Sequence, residues 1–147
     1  MDRIEKTVTL KAGKAKVWQA LTDAQQFGSW FAARFDGPFV AGQRQTGQLT
    51  VPDYTHVKIA IEVEAIEPQT RFAFRWHPFA VDEQVDYSKE PMTLVEFFLE
   101  DAGTGTKLTV HESGFDALPE HRRAIAFRMN NGGWEEQMKN VSRYVGG

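Results

Sequence analysis

The sequence predicts an α+β domain in which an antiparallel sheet curves around one long C-terminal helix. Three observations predict it. Apolar and polar residues alternate through several segments between residues 43 and 113, as half-buried strands require. Two short segments of helical spacing interrupt the pattern directly after the first strand. A single apolar stripe, at three-, four- and seven-residue steps, then runs through the last part of the chain. A length of 147 residues fits one domain, spanning 1–147, with a core that needs no staples.

From Asp2 to Lys11 the apolar residues Ile4, Val8 and Leu10 share one parity, which marks a half-buried strand. Gly13 ends it. Lys14 to Thr22 then carries Val17, Trp18 and Leu21 at helical spacing, and Asp23 is placed to cap a second short helix running toward Trp30 and Phe31. After Gly37-Pro38 and Gly42 the pattern becomes strands: Gln43–Val51, His56–Ile66 and Arg71–Trp76, with turns at Pro52-Asp53 and Pro68-Gln69. His77–Pro91 reads as a loop, long by hairpin standards. Met92–Glu100 and Thr106–Ser113 form a last hairpin around a glycine-rich turn. The sheet therefore has six or seven strands.

Pro119 suits the first turn of a helix, where its missing N–H is not needed. That helix reaches about Val145, with Ala124, Phe127, Asn131, Trp134, Met138, Val141 and Val145 as its inward stripe. Gly132-Gly133 sits in mid-helix at a cost of about 1 kcal/mol each relative to alanine. Close approach to the sheet, or space left empty, is the expected compensation.

Composition excludes several classes of function. Lys and Arg number 17 against 20 Asp and Glu, so the net charge is −3, and no basic stripe of a nucleic-acid binder is present. Arg122, Arg123 and Arg128 lie near Glu135 and Glu136 and read as a solvated helix face. With no cysteine there are no disulfides, thiolate nucleophiles or thiolate metal sites. The N-terminus lacks a secretory apolar run, and no segment approaches the roughly 20 apolar residues of a membrane span. A cytoplasmic protein is expected.

The order of elements is the helix-grip arrangement, and particular residues sharpen it. Val17-Trp18-Gln-Ala-Leu21, Trp30, Ile66-Glu-Pro68 with Arg71-Phe-Ala-Phe-Arg-Trp76, Gly105-Thr-Lys-Leu-Thr-Val110, Gly114-Phe115 and Gly133-Trp134 follow one another in turn. Together they resemble homologues of the C-terminal domain of the heat-shock-protein-90 ATPase activator, a branch of the START-like (SRPBCC) superfamily. The resemblance covers nearly the whole chain. It implies a cavity between sheet and helix, in which relatives hold lipids, hormones or polyketides.

Glu112 shares the parity of Leu108 and Val110 and so points toward that presumed cavity. A carboxylate in an apolar pocket serves as an acid or base. Alternatively the strand ends there, or Glu112 pairs with an arginine at the rim. Asn131 offers a hydrogen bond either to a ligand or to a neighbouring backbone group. Trp30, Phe31, Trp76, Phe97, Phe115, Phe127 and Trp134 are the lining candidates, unless they simply fill the core. No catalytic set and no cofactor is assigned. His56, His77, His111 and His121 are scattered, and His111-Glu112 lacks the second histidine of a zinc-protease helix. The acidic residues Asp82, Glu83 and Asp86 lack the spacing of a calcium loop.

The expected function is a carrier or sensor of a small apolar molecule, lipid- or polyketide-like. Two alternatives stand beside it. One is a cyclase- or hydrolase-type enzyme using Glu112. The other is a chaperone or partner modulator acting through an exposed Trp30 and the His77–Pro91 loop.

Overall fold

A computed structural model describes residues 3–82 and 84–146. Asp2, at the head of the expected first strand, and Glu83, in the acidic loop, lie outside the described residues.

Alternation produces the strands where it is expected, with small shifts of boundary. They are β1 (Arg3–Leu10), β3 (Arg44–Leu49), β4 (Lys58–Glu67), β5 (Arg71–Trp76), β6 (Thr93–Ala102) and β7 (Gly105–Ser113). A short strand, β2 (Ala33–Phe35), brings the described residues to a seven-stranded antiparallel sheet in the order β1-β7-β6-β5-β4-β3-β2. Three residues are too few to show a period. β2 exists because Ala32 turns the chain through a left-handed conformation (φ 68°), and because Gly28 lets the preceding helix lie on the strand. A Cβ on Gly28 would stand 2.1 Å from the Ala33 carbonyl oxygen.

The chain crosses from one sheet edge to the other through α1 (Lys14–Thr22) and α2 (Ala24–Phe31). Asp23 caps α2, its Oδ1 accepting from the backbone N–H groups of Gln25 and Gln26 at 3.0 and 3.1 Å. In β4 the pairing with β5 slips between Val63 and Ala65, leaving Glu64 as a bulge that bends the strand. The expected glycine-rich turn tightens to Gly103-Thr104, with Ala102 paired to Gly105 and Gly103 at φ 65°.

The long helix α3 (Glu120–Val145) lies across the concave face and buries Ala126, Trp134, Met138, Val141 and Val145. Its stripe differs from the expected one upstream of the two glycines. Arg122 and Ala126 are buried, whereas Ala124 is exposed and Phe127 and Asn131 are half-buried. Four-residue steps back from Trp134 give 130, 126 and 122, and this phase wins because it aims Asn130 at the sheet. Two expectations are corrected with it. Arg122 is not on a solvated face, being only 7% exposed. Gly132 and Gly133 are exposed, with open space where a Cβ would stand, so neither close approach nor a cavity compensates their cost.

Between sheet and helix the interior is filled with rings. Phe27 packs against Trp30, Phe31, Phe39, Phe74 and Phe97 at centroid separations of 4.7 to 6.3 Å. One cleft lies at an end of this interior, where β5 stops.

Candidate functional site

Glu112 is fully buried on β7, and its two oxygens are enclosed by donors from four other positions. Oε2 accepts from the indole N–H of Trp76 at 2.8 Å and the hydroxyl of Thr93 at 2.6 Å. Oε1 accepts from the indole N–H of Trp134 at 2.8 Å, and the Asn130 amide reaches both oxygens at 2.9 and 3.2 Å. Register explains the convergence. Glu112 faces Val95 on β6, Thr93 pairs with Trp76 on β5, and α3 lowers Asn130 and Trp134 from above. The partners are neutral donors, and bonds of this charge-assisted type offset the desolvation of a buried carboxylate.

This arrangement locks the rings. Trp76 and Trp134 stack with centroids 5.9 Å apart and planes 30° from parallel, and Phe31 lies 5.9 and 6.1 Å from the two. A carboxylate has about four acceptor positions. Those of Glu112 are occupied by five contacts, which leaves none turned toward a substrate. Glu112 is thus built as a holder of Trp76, Trp134 and Asn130.

Beside Trp76 lies a cleft of about 910 Å³. Its origin is a mismatch in strand length. β4 begins at Lys58, but its pairing with β5 starts only at Glu62–Arg75, because β5 ends at Trp76 and is followed by His77-Pro78. Residues 58–61 of β4 therefore face a gap where a longer β5 would lie. Phe31, Trp76 and Asn130 reach the cleft from the interior, and Phe79, Val81, Val85 and Tyr87 reach it from the loop.

The loop is clasped to α3 by Arg122. The guanidinium donates to Glu90 at 2.9 Å and to the carbonyls of Pro78 and Phe79 at 2.7 and 3.0 Å, and it lies 4.6 Å from the centre of the Tyr87 ring. The Ser88 amide donates to Asp86 at 2.9 Å, and that bond holds the Asp86 carboxyl below its ordinary value. Another hollow, of about 800 Å³, lies over the start of α2 and Gly37–Phe39 and reaches none of the Glu112 cluster.

Of the expected lining residues, the structure brings Phe31 and Trp76 to the cleft. Trp134 and Glu112 stand one layer behind them. Trp30 is buried, its N–H bonded to the Ala20 carbonyl at 2.8 Å, and Phe97 is enclosed by other rings. Phe115 and Phe127 pack on each other at 5.1 Å and do not border the cleft. Asn131 does not border the cleft; Asn130, one residue earlier, does, and its amide is bonded to Glu112. Thr93 and Asn130 escaped the sequence reading, and Arg122 reads there as solvated. Only the four-residue phase through Trp134 carried a signal for the last two.

Residues 11–146 match the family described as activator of Hsp90 ATPase homolog 1-like protein. The chain belongs to that family. No curated protein matches the sequence. Among solved structures, this family member is similar to DynU16, a protein of the dynemicin biosynthetic locus (25% identity, TM-score 0.75), covering 99% of this chain but 47% of that one. The chain thus spans just under half the length of DynU16. It is also similar to a protein from Arthrobacter aurescens (18% identity, TM-score 0.80), over 98% of this chain and 86% of that one. The Aha1 dimer from Colwellia psychrerythraea has 18% identity and a TM-score of 0.73, over 99% and 96% of the two chains. The last two likenesses concern the fold. Among the described residues no helix is long and apolar enough to cross a membrane.

Proposed function

We propose that this activator-homologue-like chain is a binding domain whose small, largely apolar ligand occupies the cleft at the end of β5. The observation that carries this reading is the aromatic floor. Trp76 borders the cleft while its one polar atom is engaged by Glu112, so the cleft meets ring surface held in a fixed orientation. Asn130, bonded to Glu112 on one side and bordering the cleft on the other, supplies an oriented polar group. The outer walls are mixed, with Arg34, Arg44, Lys58, Asp36 and Asp82 among them, so it is the ring floor that offers apolar contact. The placement of DynU16 in a biosynthetic locus agrees with a small-molecule ligand.

Glu112 as acid or base finds little support, because its acceptor positions are taken. Trp30, which a partner-binding surface was expected to expose, is buried.

The test is binding of neutral apolar probes, followed by tryptophan fluorescence and melting temperature, with native mass spectrometry of freshly purified protein. Probes are expected to change the emission and raise the melting temperature, and Trp76→Phe is expected to remove most of the emission change. If no probe shifts either signal and no hydrophobic compound co-purifies, the reading fails.

A further inference from the structure

The cleft is bounded on one side by a strand edge, and that edge carries chemistry of its own. In an antiparallel pair, successive residues turn their N–H and C=O groups alternately toward one neighbour and the other. Val57 and Val63 turn theirs toward β3: the Leu49 amide donates to the Val57 carbonyl, and the Val63 amide to the Gln43 carbonyl, both at 3.0 Å. The odd-numbered residues of β4 thus serve β3. Lys58 and Ala60, of the other parity, turn their N–H and C=O groups toward the gap left by β5. Among the described residues these four backbone groups have no partner. The loop opposite contributes side chains to the cleft, but among its described residues none makes a hydrogen bond to this edge.

Side chains along the edge are sorted by face. Ile59 is half-buried against the core, on the side from which Phe31, Trp76 and Asn130 reach the cleft. Lys58 lies in one cross-strand row with Gln48 and Arg34, on the opposite face. Neither Lys58 nor Arg34 takes part in an ion pair among the described residues, whereas Asp36 nearby is engaged by the Thr46 hydroxyl at 2.6 Å.

We infer that the cleft takes an extended peptide segment, which adds to β4 as the missing half of β5. The inference rests on the reading that the cleft is a binding site, and it makes the ligand a peptide that turns only its apolar side chain to the ring floor. Residues of the segment opposite Lys58 and Ala60 exchange hydrogen bonds with them and share their outward face, so an acidic side chain there meets Lys58, with Gln48 and Arg34 farther along the same row. The residue opposite Ile59 turns inward, and an apolar side chain there covers Trp76 and Phe31. The segment alternates acidic and apolar.

The experiment is calorimetric titration of the whole chain with acetyl-Glu-Phe-Glu-Val-amide and two N-methylated forms. One form is methylated at both glutamates and the other at the phenylalanine. N-phenyl-1-naphthylamine serves as a purely apolar probe. Methylating the glutamates is expected to weaken binding about tenfold or more, since it removes two hydrogen bonds of about 1 kcal/mol each. Methylating the phenylalanine, whose N–H faces away from the edge, is expected to change it less than about threefold. Lys58→Pro removes one edge N–H at the first residue of a strand, where proline is tolerated. It is expected to weaken the peptide more than Lys58→Ala does, and to leave the naphthylamine unaffected. Equal effects of the two methylation patterns overturn the inference, whether or not Lys58→Pro folds. So does naphthylamine binding without peptide binding, in which case the reading of an apolar site stands. If neither compound binds, both fall.

Discussion

At Glu112, a single carboxylate without a cationic hydrogen-bond partner organises two tryptophans, a threonine and an asparagine. Its removal is costly because each donor around it is left buried and unpaired. Glu112→Gln keeps the shape but turns an NH2 group toward donors, and it is expected to destabilise the fold by about 3 kcal/mol, measured by urea unfolding. Loss below about 1 kcal/mol would show that the donors find other partners. The inward parity of Glu112 was legible in the sequence from Leu108 and Val110. Its partners were not, because Trp76, Thr93 and Asn130 come from separate elements whose meeting depends on register and helix phase.

Two elements carry unusual features. In α3, Gly132 and Gly133 face open space, so the ordinary helix penalty of glycine applies without compensation. Gly132→Ala and Gly133→Ala are each expected to stabilise by about 1 kcal/mol, read as a rise in melting temperature of about 2–4 °C. A fall instead would show that the added methyl groups meet a neighbour within the folded chain. The His77–Pro91 loop depends on Arg122. Lysine at that position has one compact charge and cannot span Glu90 and two carbonyls together. Arg122→Lys is therefore expected to speed amide exchange at residues 79–90 while leaving β6 and β7 unchanged. Uniform acceleration would place Arg122 in global stability rather than in the clasp. The loop was legible as a loop, but its clasp was not, since an arginine flanked by charged residues looks solvated.

Across the whole molecule, the sheet is extended by bringing the first strand to the last, which leaves β1 and β2 as its edges. β1 pairs with β7 along its eight residues, from Arg3–Ser113 to Leu10–Thr106, and buries Ile4 and Leu10. Deleting residues 1–10 exposes the long edge of β7 and is expected to abolish cooperative unfolding by calorimetry. A sharp transition in the shortened chain would show that the core is complete without β1. Local alternation and helical spacing were enough to determine the α+β class, the order of the long elements and the strand faces, because those periods are properties of neighbouring residues. The phase of α3 above the glycines, the three-residue β2, the ring-filled interior and the cleft were decided by the tertiary structure alone. Each depends on how far one strand outruns the next or which turn of a helix meets the sheet, and sequence neighbours carry no record of either.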